Sequence, residues 1–289
     1  MEQLQNDLLS IEISLKGAEL CSVKNRQNGL EYIWQADPGV WGKHSPVLFP
    51  IVGSLRNDTY YFHNTAYSLP RHGFARDRAF ELESRSDKEL VFLLSTNEET
   101  RKQFPFDFAF RIRYQLQKDS LYVTYEVSNN GQEPMFFSVG GHPAFALPLE
   151  QGAAYNDYQL VFEEVEHAGR WPIVEGGLIG SEPISLLENT NILPLTKDLF
   201  SKDALVFKNL RSAEVTLRSD KYKHGWSFDF TDFPYLGLWA APGGDFVCVE
   251  PWCGIADAAT HDQQLESKEG INRLEPQQAF SRTWSVRFW

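Results

Sequence analysis

The chain has 289 residues, with 27 Lys and Arg against 39 Asp and Glu, a formal charge of −12. Such an acidic surface repels phosphate backbones and anionic lipid, which argues against nucleic acid or a membrane surface as partner. A hydrophobic share of 42%, with 14% aromatic, supplies a large packed core and excludes general disorder.

The N-terminus, Met1-Glu2-Gln3-Leu4-Gln5-Asn6-Asp7, lacks the basic start and apolar stretch of a signal peptide. No apolar run approaches the roughly 18–20 residues that span a bilayer, so a cytoplasmic location is expected. Further along, hydrophobic residues recur every second position. Ile11, Ile13 and Leu15 alternate with Glu12 and Ser14; Phe108, Phe110, Ile112, Tyr114 and Leu116 alternate with residues that include Arg111 and Arg113. Leu121, Val123, Tyr125 and Val127 follow, and Phe280, Trp284, Val286 and Phe288 close the chain. Each run is a strand with one buried face. Turn signals stand between them at Asn28-Gly29, His63-Asn64, Ser86-Asp87-Lys88, Asn129-Asn130-Gly131 and Ser219-Asp220-Lys221. Thr96 with Glu99 predicts a capping box and one short helix, which Pro105 stops by about residue 103. The stretch from Glu164 to Leu195 is the least periodic and reads as a long excursion over the sandwich. The whole, residues 1–289, reads as one all-β domain of antiparallel sheets packed face to face.

Three cysteines, Cys21, Cys248 and Cys253, form no CxxC pair and indicate neither a disulfide framework nor a zinc ribbon. Nucleotide-binding, HExxH and GxSxG motifs are absent. Of seven histidines, His44, His63, His167, His224 and His261 sit among polar residues and read as solvated or capping residues of loops. His72, in Arg71-His72-Gly73-Phe74-Ala75-Arg76, and His142, in Gly140-Gly141-His142-Pro143, lie among residues of special backbone freedom. For both, function and core hydrogen bonding are open alternatives. Glu250, in Phe246-Val247-Cys248-Val249-Glu250-Pro251-Trp252, shares a strand face with apolar neighbours and precedes a proline. Partial desolvation would raise its proton affinity and suit it to act as a base. The alternative is an edge glutamate reaching solvent. Separations of 70 residues from His72 to His142 and 108 from His142 to Glu250 mean that only tertiary folding can unite them.

Taken in order, Gly17-Ala18-Glu19-Leu20 (read as a strand), Phe49-Pro50-Ile51-Val52-Gly53, Arg71-His72-Gly73-Phe74-Ala75-Arg76, Phe104-Pro105-Phe106-Asp107-Phe108, Gly141-His142-Pro143-Ala144-Phe145 and Val249-Glu250-Pro251-Trp252 resemble the aldose 1-epimerase (galactose mutarotase-like) superfamily. Arg56-Asn57 reverses the order found in galactose mutarotases, and their Asn-His-Thr-Tyr-Phe type segment is replaced here, which marks a divergent branch. The resemblance implies an antiparallel β-supersandwich and an isomerase that interconverts the α and β anomers of an aldose with no metal or organic cofactor. It implies Glu250 as general base, His142 as general acid and His72 as a second histidine at the ring-oxygen region. Arg56 and Asp203 are implied as sugar-binding residues, and Trp252 is the one tryptophan with positional support as a stacking platform. Trp41 and the Leu236-Gly237-Leu238-Trp239 run read as packing. Arg71 and Arg76 resemble the phosphate-clasping arginines of the hexose-6-phosphate 1-epimerase branch, or else pair with surface carboxylates. The implied partner is a small-molecule sugar, and a homodimer is admitted. A non-catalytic sugar-binding protein on the same fold is the alternative from another class, and a glycosidase or lyase a weaker one, since only one carboxylate is well placed.

Overall fold

The period-two runs become long antiparallel strands. The computed structural model describes residues 1–289. Phe108–Gln117 pairs with Ser120–Asn129, opposing Leu116 to Leu121, Tyr114 to Val123 and Ile112 to Tyr125, so that both strands bury the same face. Ala279–Phe288 adds on the other side and seats Trp284 opposite Val123. These belong to a nine-stranded sheet with the order 184–194, 158–170, 214–219, 226–229, 279–288, 120–129, 108–117, 89–95 and 81–85.

A second sheet of six strands faces it. Its order is Leu205–Lys208, Tyr235–Trp239, Phe246–Cys253, then Val139–Gly141 and Val47–Leu48, with Ala144–Ala146 also paired to Phe246–Cys253. Aromatic side chains interdigitate between the layers: Phe49 stacks on Phe110, and Phe145 lies against Trp226 and Phe228. One continuous core runs from Leu4 to Phe288. A mostly strand-built antiparallel β-supersandwich is thus the fold, as the sequence predicts. No helix is long and apolar enough to cross a membrane.

Several local expectations shift. The helix is Glu98–Gln103, capped by Asn97, whose side chain accepts from the Thr100 backbone N–H at 2.9 Å. Thr96 is not the cap because its hydroxyl accepts the Phe108 backbone N–H at 2.6 Å, anchoring the next strand. Gly17-Ala18 is a turn, with φ of 71° and 44°, and its strand begins only at Leu20. A Cβ on Gly17 would lie 2.7 Å from the Arg76 carbonyl oxygen, so this turn seats the Arg71–Arg76 loop. Leu15 falls beyond its strand and is exposed. The stretch from Glu164 to Leu195 is ordered β-structure. Tyr158–Arg170 and Ile184–Pro194 extend the large sheet, their periodicity blurred by bulges, and Ile173–Val174 pairs with Leu178–Ile179 as a small hairpin.

Candidate active site

Phe246–Cys253 is the central strand of the smaller sheet and is buried at every position. It runs through Pro251 rather than ending there, so Glu250 is interior and not an edge residue. Its neighbour on one side is broken in two: Val139–Gly141 pairs Gly140 with Trp252, and Ala144–Ala146 pairs Ala144 with Cys248. The register is the same on both sides of the break, which places His142 directly opposite Glu250. Pro143 lacks an N–H and its carbonyl accepts from Val249 at 3.2 Å, so the ladder opens where the imidazole stands. His142 Nε2 lies 3.4 Å from Glu250 Oε1. Cross-strand neighbours on one face meet at side-chain distance by strand geometry alone.

The glycines at this junction serve close packing more than turning. A Cβ on Gly140 would lie 2.7 Å from Trp252 Cδ1, and one on Gly141 2.6 Å from the Tyr125 hydroxyl. On the far side Gly237 pairs with Glu250, and its Cβ would meet the Trp252 ring at 2.6 Å. Trp252 is therefore a wall held between two bare backbones, not a free platform.

Burial governs the electrostatics. Glu250 is 2% exposed, and desolvation pushes its carboxyl up to about 8, a rise partly offset by the Arg71 guanidinium. Burial lowers the His142 imidazole to about 3, helped by the charges of Arg71 and Arg76. Aromatic rings supply that dry setting: Trp41 stacks on the imidazole at 5.1 Å, while Trp239 and His72 approach edge-on at 5.7 and 5.9 Å. Glu250 Oε2 and His142 Nδ1 have no hydrogen-bond partner. Near neutral pH the pair thus holds one proton between two adjacent basic atoms.

His72 sits at φ 68°, a left-handed backbone kept in place by reciprocal bonds with Gly53. Its N–H donates to the Gly53 carbonyl at 2.8 Å, and the Gly53 N–H donates to His72 Nδ1 at 3.1 Å. Because Nδ1 accepts, the neutral ring carries its proton on Nε2. Arg71 Nε–H also points at Nε2, at 3.3 Å, but a neutral ring accepts at only one nitrogen; the shorter, backbone-fixed bond from Gly53 takes Nδ1, which leaves the longer Arg71 contact as a charged neighbour. Burial first, then the Arg71 charge, holds His72 well below its ordinary range. Gly73 follows at φ 70°, and a Cβ there would lie 2.3 Å from the Phe49 carbonyl oxygen.

Glu250, His142, His72, Arg71, Arg76, Asp203 and Trp252 all line one cavity of about 340 Å³, within the range of small-molecule sites. Arg56 does not. Its guanidinium donates to the His261 carbonyl at 2.9 Å, and its backbone N–H to Asp257 Oδ2 at 2.9 Å, so it supports the wall from outside. Arg71 and Arg76 hold the guanidinium positions instead. Asp203 stands at φ 79° with Oδ1 3.8 Å from Arg71 Nη2, and Arg76 donates to the Arg71 carbonyl at 2.8 Å. Among the remaining histidines, His167 lies in a strand, not a loop, though it is exposed as expected.

Three parts of the site were missed in the sequence. Trp41 and Trp239 line the cavity beside the imidazole instead of serving only as packing. Gly237 was the available signal for Trp239, since a glycine inside a strand often marks close approach. The hairpin Ile173–Ile179 supplies Ile173, Gly177 and Ile179 to one wall. Its Ile179 N–H donates to the Asp257 carbonyl at 2.9 Å, and Lys208 Nζ lies 3.8 Å above the Trp171 ring next to it.

Ligating atoms of His142, Cys248 and Glu250 lie within 4.8 Å of one another. Metal binding needs a thiolate and a carboxylate, however, and burial pushes both the Cys248 thiol and the Glu250 carboxyl up. A cation at this trio would have to displace both of those protons.

The model of the family described as Aldose 1-epimerase matches residues 2–254. Protein LacX (plasmid) of Lactococcus lactis subsp. lactis is 35% identical over 98% of each chain. A galactose mutarotase related enzyme from Lactobacillus acidophilus has a solved structure that is similar at a TM-score of 0.95. It is 39% identical and covers 100% of this chain and 97% of its own. A galactose mutarotase-like protein from Lactobacillus casei ATCC 334 gives a TM-score of 0.94 at 32% identity, covering all of both chains. With its supersandwich, the facing His142 and Glu250, and this match over most of its length, the chain belongs to the aldose 1-epimerase family.

Proposed function

We propose that this protein is an aldose 1-epimerase that interconverts the anomers of a hexose by ring opening and closure. The carrying observation is the contact between Glu250 and His142, 3.4 Å apart in the lining of a sugar-sized cavity. Transfer of the proton from the Glu250 carboxyl to His142 creates a carboxylate and an imidazolium side by side. The carboxylate removes the proton of the anomeric hydroxyl as the bond from C1 to the ring oxygen breaks, and the imidazolium protonates that oxygen. Rotation about C1–C2 turns the aldehyde over. On closure His142 takes the hydroxyl proton, Glu250 returns the other, and the opposite anomer leaves with no net proton change. His72 offers its Nε2–H to the developing carbonyl or ring oxygen. Asp203 accepts from sugar hydroxyls at the rim, and Trp41 and Trp239 keep bulk water away from the imidazole.

A second reading concerns the substituent on the sugar. Two guanidiniums, Arg71 and Arg76, face the cavity with one aspartate, Asp203, beside them in its lining, while Asp77, 3.8 Å from Arg76 Nε, lies outside that lining. That excess suits an anionic hexose such as a 6-phosphate, whose oxygens match guanidinium geometry. Chemistry at C1 is the same in both cases.

Polarimetry and saturation-transfer NMR on aldoses and their 6-phosphates test the proposal. Glu250→Gln should keep the fold and lose about 10²–10⁴-fold in rate. Wild-type activity in that variant removes Glu250 from its role. A wild-type protein that binds sugar by calorimetry yet leaves anomeric equilibration unchanged is a binding protein instead.

A further inference from the structure

Behind the cavity wall lies a charged pair that the acid–base chemistry does not use. Asp257 and Lys268 have side chains that are fully buried, and their Oδ1–Nζ distance is 2.7 Å. Lys268 Nζ also donates to the Ile255 carbonyl at 2.5 Å. Asp257 is the point where four segments meet. Its Oδ2 accepts the Arg56 backbone N–H at 2.9 Å, and its own N–H donates to the Ser54 carbonyl at 2.9 Å. Its carbonyl accepts from Ile179 of the wall hairpin at 2.9 Å.

Three of those segments carry cavity-lining residues, and the one bearing Lys268 stands behind them. Gly53, next to Ser54, holds His72 through both of its backbone polar groups. A Cβ on Gly53 would lie 2.5 Å from Ala256 Cβ, so the 53–56 and 254–257 segments are pressed together. Ile179, Ile255 and Ala256 form the wall itself. Burying two charges costs desolvation that an apolar pair would avoid, so stability alone is a weak reason for such a pair. Fixing several backbones in one arrangement is a better one.

We infer that the buried Asp257–Lys268 ion pair is a positioning device: it clamps Gly53, and through it His72, against the Ile173–Ile179 hairpin. Its catalytic consequence rests on the epimerase reading above, while its structural consequence does not. Neither residue touches the cavity, so they act through His72 and the wall.

The test uses the full chain with Asp257→Asn and Lys268→Met combined, which removes both charges and leaves an amide carbonyl on the first side chain to accept from Arg56. Histidine ring ¹⁵N NMR should show a single Nε2–H tautomer for His72 in the wild type and averaged tautomers in the double variant. Mutarotation kcat should fall about ten- to a hundredfold with KM little changed, as expected for a misplaced catalytic group. In a His72→Asn background the same pair of substitutions should cost no further kcat. An unchanged His72 tautomer in the folded variant overturns the inference, as does an equal loss in the His72→Asn background. If the wild type accelerates no mutarotation, the epimerase reading fails, and the ring spectra still decide the clamp. If the double variant does not fold, Asp257→Glu serves instead, since it keeps both charges and displaces the carboxylate by one methylene; an unaltered His72 spectrum there counts against the clamp.

Discussion

His142 faces Glu250 across an antiparallel ladder whose register, Gly140 with Trp252 and Ala144 with Cys248, continues through the gap between them. The 3.4 Å contact is therefore a product of strand pairing, not of loop placement. Functional groups set on paired strands are held more tightly than groups on loops.

The first consequence is a pH profile. The pair carries one proton from about 3, where the imidazole titrates, to about 8, where the carboxyl does. Above the upper value the proton is lost and no acid remains; below the lower one a second proton arrives and no base remains. Mutarotation rate should be flat near neutrality and fall as pH rises through about 8. A rate that instead climbs steadily from pH 6 to 9 would show that a lone carboxylate does the work.

Stability should respond in the opposite way to removing the charge. The folded pKa of Glu250, about 8, lies above its ordinary 4.5. A group raised in this way stabilises the fold fully below about 4.5, and that contribution is lost as pH climbs to about 8. Glu250→Gln carries no such penalty. Its melting temperature should exceed the wild type's by several degrees at pH 8, with the gap shrinking towards pH 5 in calorimetry.

Trp41 sets the imidazole's environment. Trp41→Ala admits water to the ring it stacks on, which relieves the desolvation and raises the His142 pKa from about 3 towards 6.5. The acid limb of the rate profile should move up by at least one pH unit, while the limb near 8 moves less. An unshifted acid limb would detach Trp41 from the acid's tuning.

Backbone space around the site leaves little tolerance. Gly73→Ala places a Cβ at φ 70° and 2.3 Å from the Phe49 carbonyl, where backbone must move. We expect a loss of about 1–3 kcal/mol in urea unfolding, with activity falling more than stability because His72 is adjacent. Gly29→Ala, at φ 76° but in open space, should cost less and leave activity intact.

Replacing the rim arginines separates the two substrate readings. Arg71→Ala and Arg76→Ala should raise KM about tenfold or more for a hexose 6-phosphate if the guanidiniums bind phosphate. Equal KM values for the free and phosphorylated sugar in the wild type would favour the neutral substrate.

Much of the fold was legible because burial on a sheet face repeats every two residues. Phe108 to Leu116 and Leu121 to Val127 stated both their strands and their inward faces, and His63-Asn64 stated a hairpin turn. The site was legible only in part. Glu250 and His142 stood out by their local context, but their meeting depends on a register between strands 108 residues apart. Arg56 and Arg71 lie equally close to suggestive motifs, yet one guanidinium turns outward to His261 and the other inward.

The 164–195 stretch and the tryptophans show the same divide. Bulges blur the alternation of Tyr158–Arg170, and indole is as common in packing as in a site wall, so no local pattern separates the cases. By itself the sequence determined the strand faces, the turns and the kinds of chemistry on offer, because those follow from side-chain periodicity and local backbone preference. Which groups lose their water, which share a proton and which are walled off was decided only by tertiary structure, because desolvation and contact are set by neighbours that the chain brings in from far away.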